Sequence, residues 1–125
     1  EQLLNYIVGQ IRDEIEPNDM LVAAATATAR ALGAAGSRIY REDLAADSFA
    51  IAAEYGNVEG LEALHENISK LRAGEVMDIQ IDNWSGLMAT TQYRNEVNGA
   101  LAMWKPAQEV PWDDDHRMML TDVAN

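Results

Sequence analysis

The sequence predicts an α+β domain. Apolar residues recur with a helical period at both ends of the chain, and through much of its middle they alternate with polar or small residues. With 125 residues, 48% of them hydrophobic, the chain can build one domain around one modest core. The expected organisation is a single unit over 1–125, opening with a helix over 1–16 and closing with the start of a connecting helix over 112–125. The chain begins at Glu1 without an initiator Met and stops inside a helical pattern, so it reads as an excerpt of a longer protein.

Leu4, Val8, Ile11 and Ile15 fall at steps of four, three and four, which describes an amphipathic helix ending at Pro17. Asn18 or Asp19 can cap a second helix from Met20 to Leu32, with Gly33 and Gly36 as its stop. Ala23, Ala24, Ala25, Ala27, Ala29 and Ala31 make this helix thin, so that its neighbour can approach closely. The period then becomes alternating: Ile39 lies between Arg38 and Tyr40, a turn follows near Glu42 and Asp43, and Phe49, Ile51, Ala53 and Tyr55 line one face of a second strand. The opposite face carries Ala50 and Ala52. A later strand, Ala100 to Trp104, sets Ala100 and Ala102 opposite Leu101 and Met103, and the small faces are expected to receive the Ala-rich helix.

Between Gly60 and Gly74, Leu61, Leu64, Ile68 and Leu71 form a helical stripe that can cover the second face of the sheet. Met77, Ile79 and Ile81 alternate with Asp78, Gln80 and Asp82, the pattern of a short edge strand kept from pairing by its charges. Leu87 to Tyr93 and Asn98 to Lys105 make a last hairpin that turns through Arg94, Asn95 and Glu96. Pro106 and Pro111 mark the exit. In the final helix Asp113 to Asp115 sit at the positive end of the dipole, ahead of Met118, Met119, Leu120 and Val123.

Composition excludes several classes of function. There is no Cys, hence no disulfide, thiolate metal site, thiol nucleophile or thioether-linked chromophore. A net charge of −12, with nine scattered Lys and Arg, argues against nucleic acid and anionic membranes as partners. The longest nearly uncharged run, Met20 to Ala29, is far shorter than the roughly 20 residues a spanning helix needs, so membrane insertion is not expected and the cytoplasm is the default location. Phosphate loops, Rossmann glycines, paired zinc ligands and nucleophile elbows are absent, which leaves no catalytic residue to nominate.

The run Tyr93-Arg94-Asn95-Glu96-Val97-Asn98-Gly99-Ala100-Leu101-Ala102-Met103-Trp104, then Pro111-Trp112-Asp113-Asp114-Asp115 and Leu120-Thr121-Asp122-Val123-Ala124, resembles the final hairpin and C-terminal helix of GAF domains. Leu21 to Leu32, Ser37 to Arg41 and Phe49 to Gly56 resemble that family's second helix and first two strands. The resemblance implies a GAF/PAS-like α+β fold: a central antiparallel sheet of five to six strands, terminal helices on one face and a helix or loop cover on the other. It also implies a sensory or regulatory role as an input domain, most commonly of a bacterial sensor histidine kinase, otherwise of a cyclic-dinucleotide cyclase or a transcription regulator. Met88-Ala89-Thr90-Thr91 stands where many members carry a Val-Pro-Leu type segment. The Asn-Lys-Phe-Asp-Glu signature of cyclic-nucleotide binders is missing, and without Cys no bilin can be attached covalently.

The expected partners are an unidentified small molecule, a second copy of the chain through the terminal helices, and the output domain of the parent. Leu4, Val8, Ile11 and Ile15 are the dimer-helix candidates, since such a seam can pair with its twin. Tyr55, His65, Trp84, Met88, Tyr93 and Met103 are the ligand-pocket candidates, between the sheet and the Gly60 to Gly74 segment. His65 alone is weak support for haem, which is not expected, and His116 with Asp113 to Asp115 reads as a helix cap in preference to a metal site. A ligand-free dimerisation spacer and a haem or metal sensor are the alternatives to a ligand-binding regulator.

Overall fold

The computed structural model describes residues 18–43, 48–56, 61, 64–72, 74–93 and 96–124. The proposed helix over 1–16, with Leu4, Val8, Ile11 and Ile15, lies outside the described residues. Helix α1 (Asn18–Leu32) leads into strands β1 (Gly36–Asp43) and β2 (Ser48–Gly56). A 3₁₀ segment (Leu64–Lys70) follows, then β3 (Val76–Ile81), β4 (Trp84–Tyr93), β5 (Glu96–Pro106) and helix α2 (Asp114–Ala124). The five strands form one antiparallel sheet in the order β2-β1-β5-β4-β3. The fold is thus the expected α+β class.

Helix α1 begins at Asn18, so Asn18 and Asp19 lie within the helix, not ahead of it as caps. Its end is built as the sequence suggests. Gly33 takes the left-handed backbone (φ 68°), and the Gly33 and Ala34 amides donate to the Arg30 and Ala29 carbonyls, closing two of the open carbonyls of the last turn. The alanine face lets the helix sit close on β1, near enough for the Ser37 hydroxyl to donate to the Ala25 carbonyl at 2.5 Å. Ala24, Ala25 and Leu32 join Ile39, Ala53, Leu87, Leu101, Met103 and the inner face of α2 in one buried cluster.

The two small faces part company: Ala52 of β2 packs on the cluster that holds Ala24 and Ala25 of α1, as expected, whereas the small face of β5 does not. Ala100 and Ala102 point to the other side of the sheet, into a second cluster with Tyr40, Leu61, Leu64, Ile68, Met88 and Trp104. Leu101 and Met103 meet the helices instead: thin alanines on α1 leave room for large side chains on β5. Strand β2 departs further. Ile39 pairs with Ala53 but Tyr40 pairs with Ile51, so Ala52 is an extra residue, a bulge that swaps the faces of everything after it. Phe49 packs on the second cluster and Tyr55 on the first, where a single face had been expected.

The Gly60 to Gly74 stripe forms 3₁₀ structure over Leu64–Lys70 where an α-helix was expected. Asn67 donates its side-chain amide to the Leu64 carbonyl at 3.3 Å, competing for a backbone acceptor that a regular helix would use. Leu61, Leu64 and Ile68 are nonetheless buried and form the cover on the second face. β3 is the edge strand expected, and the two-residue turn Asp82–Asn83, with Asp82 in the left-handed region (φ 50°), returns the chain into β4.

Helix α2 is held at its start. Trp112, 5% exposed, donates its indole N–H to the Ser85 carbonyl at 3.0 Å and receives the Lys105 ammonium over its ring at 4.2 Å. Asp113 Oδ1 accepts from the His116 amide at 2.9 Å, while His116 Nδ1 accepts from the Asp113 amide at 3.2 Å, a capping box with His in the usual Glu position. Asp114 belongs to Arg117 (3.1 Å), which also grips Asp78 of β3 with two nitrogens at 3.0 and 2.7 Å. The acidic run at the helix start therefore works as cap and ion-pair partner. Its capping hydrogen bond from the His116 backbone holds Asp113 below its ordinary pKa. A carboxylate depressed in the folded state adds stability that is present above its unfolded pKa and lost as pH falls through the folded one. Asp113→Asn, which can still cap but carries no charge, is expected to melt slightly below wild type at pH 7, and the two melting curves should converge as pH falls through the lowered pKa of Asp113.

Candidate functional site

The face of the sheet away from the helices carries the polar groups that strand alternation alone does not explain. On β1, Arg38 and Tyr40 both point to this face and are 4% and 1% exposed. Arg38 is buried because β1 is an inner strand, flanked by β2 and β5, and Leu61 closes over it. Its Nε and Nη2 reach Glu54 Oε2 at 2.8 and 2.6 Å. Its Nη1 donates to the Tyr40 hydroxyl and to the Leu61 carbonyl, each at 2.9 Å. The guanidinium also lies 5.7 Å from the centre of the Tyr40 ring and 5.6 Å from that of Trp104. Burial would lower the Arg38 pKa, but hydrogen bonds and charge from Tyr40 and Glu54 outweigh it and the net direction is up. Burial raises the Tyr40 phenol, opposed by Arg38.

Lateral pairing sets these groups on a floor of small residues. Tyr40 pairs with Ala100 and Ala100 with Thr90; Arg38 pairs with Ala102 and Ala102 with Met88; Gly36 pairs with Trp104 and Trp104 with Gly86. A Cβ at Gly36 would lie 2.7 Å from the Trp104 indole nitrogen, so glycine there is what admits the large ring. Thr90 is 4% exposed, and its hydroxyl is the buried side-chain polar atom without a hydrogen-bond partner among the described residues. Beside this floor a partly open cleft of about 210 Å³ runs between Leu61, Leu64, Ile79, Ile81, Trp84 and Trp104. Its interior has room for about one water.

The six pocket candidates separate. Met88 is buried on this face, and Trp84 packs at the cleft. Tyr55 packs on the helix-side cluster with Arg30 5.9 Å from its ring centre, and Met103 belongs to that cluster too, although it also borders the floor of the cleft. The side chains of His65 and Tyr93 lie outside the described residues. Arg38, Tyr40, Glu54 and Thr90 were not singled out from the sequence. The available signal was that Arg38 and Tyr40 share one face of a strand; that this strand lies in mid-sheet under a cover follows only from its pairing with β5. Among the described residues no cluster of His, Asp and Glu is arranged to hold a metal ion, and no helix is long and apolar enough to cross a membrane.

The architecture is that of a GAF domain. The chain is similar over 98% of its length to the GAF domain of an Acinetobacter phosphoenolpyruvate-protein phosphotransferase, 86% of which it covers, with a TM-score of 0.68 and 18% identity. It is also similar to the GAF domain of a putative sensor histidine kinase from Pseudomonas syringae pv. tomato (TM-score 0.66, 15% identity, 98% of this chain and 80% of that one). A third similar structure is free methionine-R-sulfoxide reductase from Neisseria meningitidis in complex with its substrate (TM-score 0.68, 17% identity, 98% and 81%). No family model matches the sequence, and a search of curated proteins finds no match. At these identities the likeness shows the GAF fold.

Proposed function

We propose that this chain is a ligand-responsive regulatory GAF domain, serving as the input module of a cytoplasmic signalling protein, with a sensor histidine kinase as the favoured parent. The observation that carries the reading is the buried Arg38 on a small-residue floor, under a cover segment and on the face opposite α1 and α2. A sheet so arranged receives a ligand on one side and carries its effect to helices on the other. The similar GAF domain of the putative sensor histidine kinase from Pseudomonas syringae pv. tomato supports the parent chosen.

Strand β3 offers a route between the faces. Ile79 and Ile81 border the cleft, while Asp78, the residue just before Ile79, holds Arg117 of α2. A ligand that spreads the cleft displaces β3 and, through Asp78, the start of the exit helix. Such a ligand acts only through different affinities for the two helix arrangements, and couplings of about 1 to 3 kcal/mol are typical. The terminal helices, including the seam of Leu4, Val8, Ile11 and Ile15, pair with those of a second copy in this reading.

Thermal unfolding followed by the fluorescence of the three Trp, against nucleotides, amino acids, organic acids and haem, tests it. A concentration-dependent rise in melting temperature with one compound is expected, because a ligand bound only to the folded state stabilises by RT ln(1 + [L]/Kd). The narrow interior of the cleft, with room for about one water, favours one second reading, a ligand-free dimerisation spacer. That reading predicts no shift with any compound and a melting temperature that rises with protein concentration.

A further inference from the structure

We propose that the ligand is a small carboxylic acid whose carboxylate binds Arg38 in place of Glu54 and whose distal hydrogen-bonding group reaches Thr90. This inference rests on the ligand-responsive reading above. Arg38 is a charged side chain held in a nearly dry setting, and the carboxylate that neutralises it comes from the rim: the Glu54 side chain is 37% exposed while that of Arg38 is 5% exposed. Glu54 contacts Arg38 through Oε2 alone. The chain's own carboxylate is therefore the exchangeable half of the pair, since it returns to water at little cost whereas the guanidinium cannot. An incoming carboxylate meets the same two nitrogens and can take both in the side-by-side geometry that Arg favours.

Thr90 is the second, independent observation. Its buried hydroxyl lacks a partner among the described residues, an arrangement that natural cores avoid unless something else supplies the bond. Thr90 and Tyr40 flank Ala100 in one lateral row, and Arg38 stands in the next row across Ala102. β1 and β4 are both neighbours of β5, so their backbones are roughly 10 Å apart, twice the ordinary spacing between strands. Ala100 and Ala102 form the floor between them, which suits an apolar linker of a few carbons. The floor is covered, with Ala100 and Ala102 0% and 1% exposed, and Arg38 Nη1 ties Leu61 of the cover to it, so the ligand is admitted only by lifting that cover.

The probes are hexanoate and 6-hydroxyhexanoate with their neutral amides, titrated calorimetrically into the folded domain at constant ionic strength. The acids are expected to bind about tenfold or more tighter than the amides, the margin of a charge-assisted pair over a neutral one. Glu54→Gln removes the internal competitor and should tighten both acids. Thr90→Val should remove the advantage of 6-hydroxyhexanoate over hexanoate and leave hexanoate unchanged, and Arg38→Gln should abolish the preference for acid over amide. Equal binding of acid and amide, weaker acid binding by Glu54→Gln, or no binding of either acid to wild type and Glu54→Gln overturns the proposal. Stabilisation by a nucleotide or a neutral compound with no response to acids overturns this site while the regulatory reading stands; silence toward every class overturns both.

Discussion

Trp104→Ala is expected to cost about 3 to 5 kcal/mol, the range for deleting a buried aromatic side chain. For a chain of this size that corresponds to a fall in melting temperature on the order of 10 to 20 °C. The ring is 1% exposed, stands on a central strand, and is enclosed by Leu61 and Leu64 above and by the space that Gly36 leaves beside it. Collapse into the gap is hindered because β5 is hydrogen-bonded to β1 on one side and to β4 on the other. Arg38 also loses the aromatic face 5.6 Å away. Urea unfolding should show a lower midpoint with the slope unchanged, since the surface exposed on unfolding stays nearly the same. Added indole should restore part of the loss in the variant and nothing in wild type, as small apolar molecules bind dry engineered cavities. A loss below about 1 kcal/mol, outside the range for such a truncation, would show that this ring is not closed in as described.

The order of elements was legible because each depends on local chemistry. Gly33 marks the end of α1, Asp113 the start of α2, and the alternation of Met77, Ile79 and Ile81 marks a strand with one solvated face. What escaped were features set by pairing between distant segments. No local pattern marks Ala52 as extra, because the bulge exists only relative to β1. The alternation on β5 was read correctly, but which face meets α1 depends on volume complementarity across the sheet: alanines on the helix fit Leu101 and Met103 better than they fit Ala100 and Ala102. The Asp82–Asn83 turn was available as two turn-forming residues between apolar runs. Arg38 passed as the polar side of a half-exposed strand. Its burial follows from the position of β1 between β2 and β5 and from the cover at Leu61, neither of which periodicity reveals.

Arg38→Met tests how that burial is balanced, and the expected loss is about 2 to 4 kcal/mol. Methionine matches much of the length and apolar volume of the arginine stem, so the cost falls on the groups left behind. Glu54 rehydrates from the rim, which places the variant below the full penalty for an orphaned buried charge. The Tyr40 hydroxyl and the Leu61 carbonyl lose a donor in a site where Tyr40 is 1% exposed. Tyr40→Phe in the wild-type background should cost about 1 kcal/mol, the net worth of an ordinary hydrogen bond. The double variant Arg38→Met/Tyr40→Phe should then be no less stable than Arg38→Met alone, because the second change removes a polar group that the first had already stranded. Urea titration of the four proteins measures the cycle. Simple additivity of the two losses would mean that Tyr40 finds another partner when Arg38 is gone, and that the guanidinium does not organise this face.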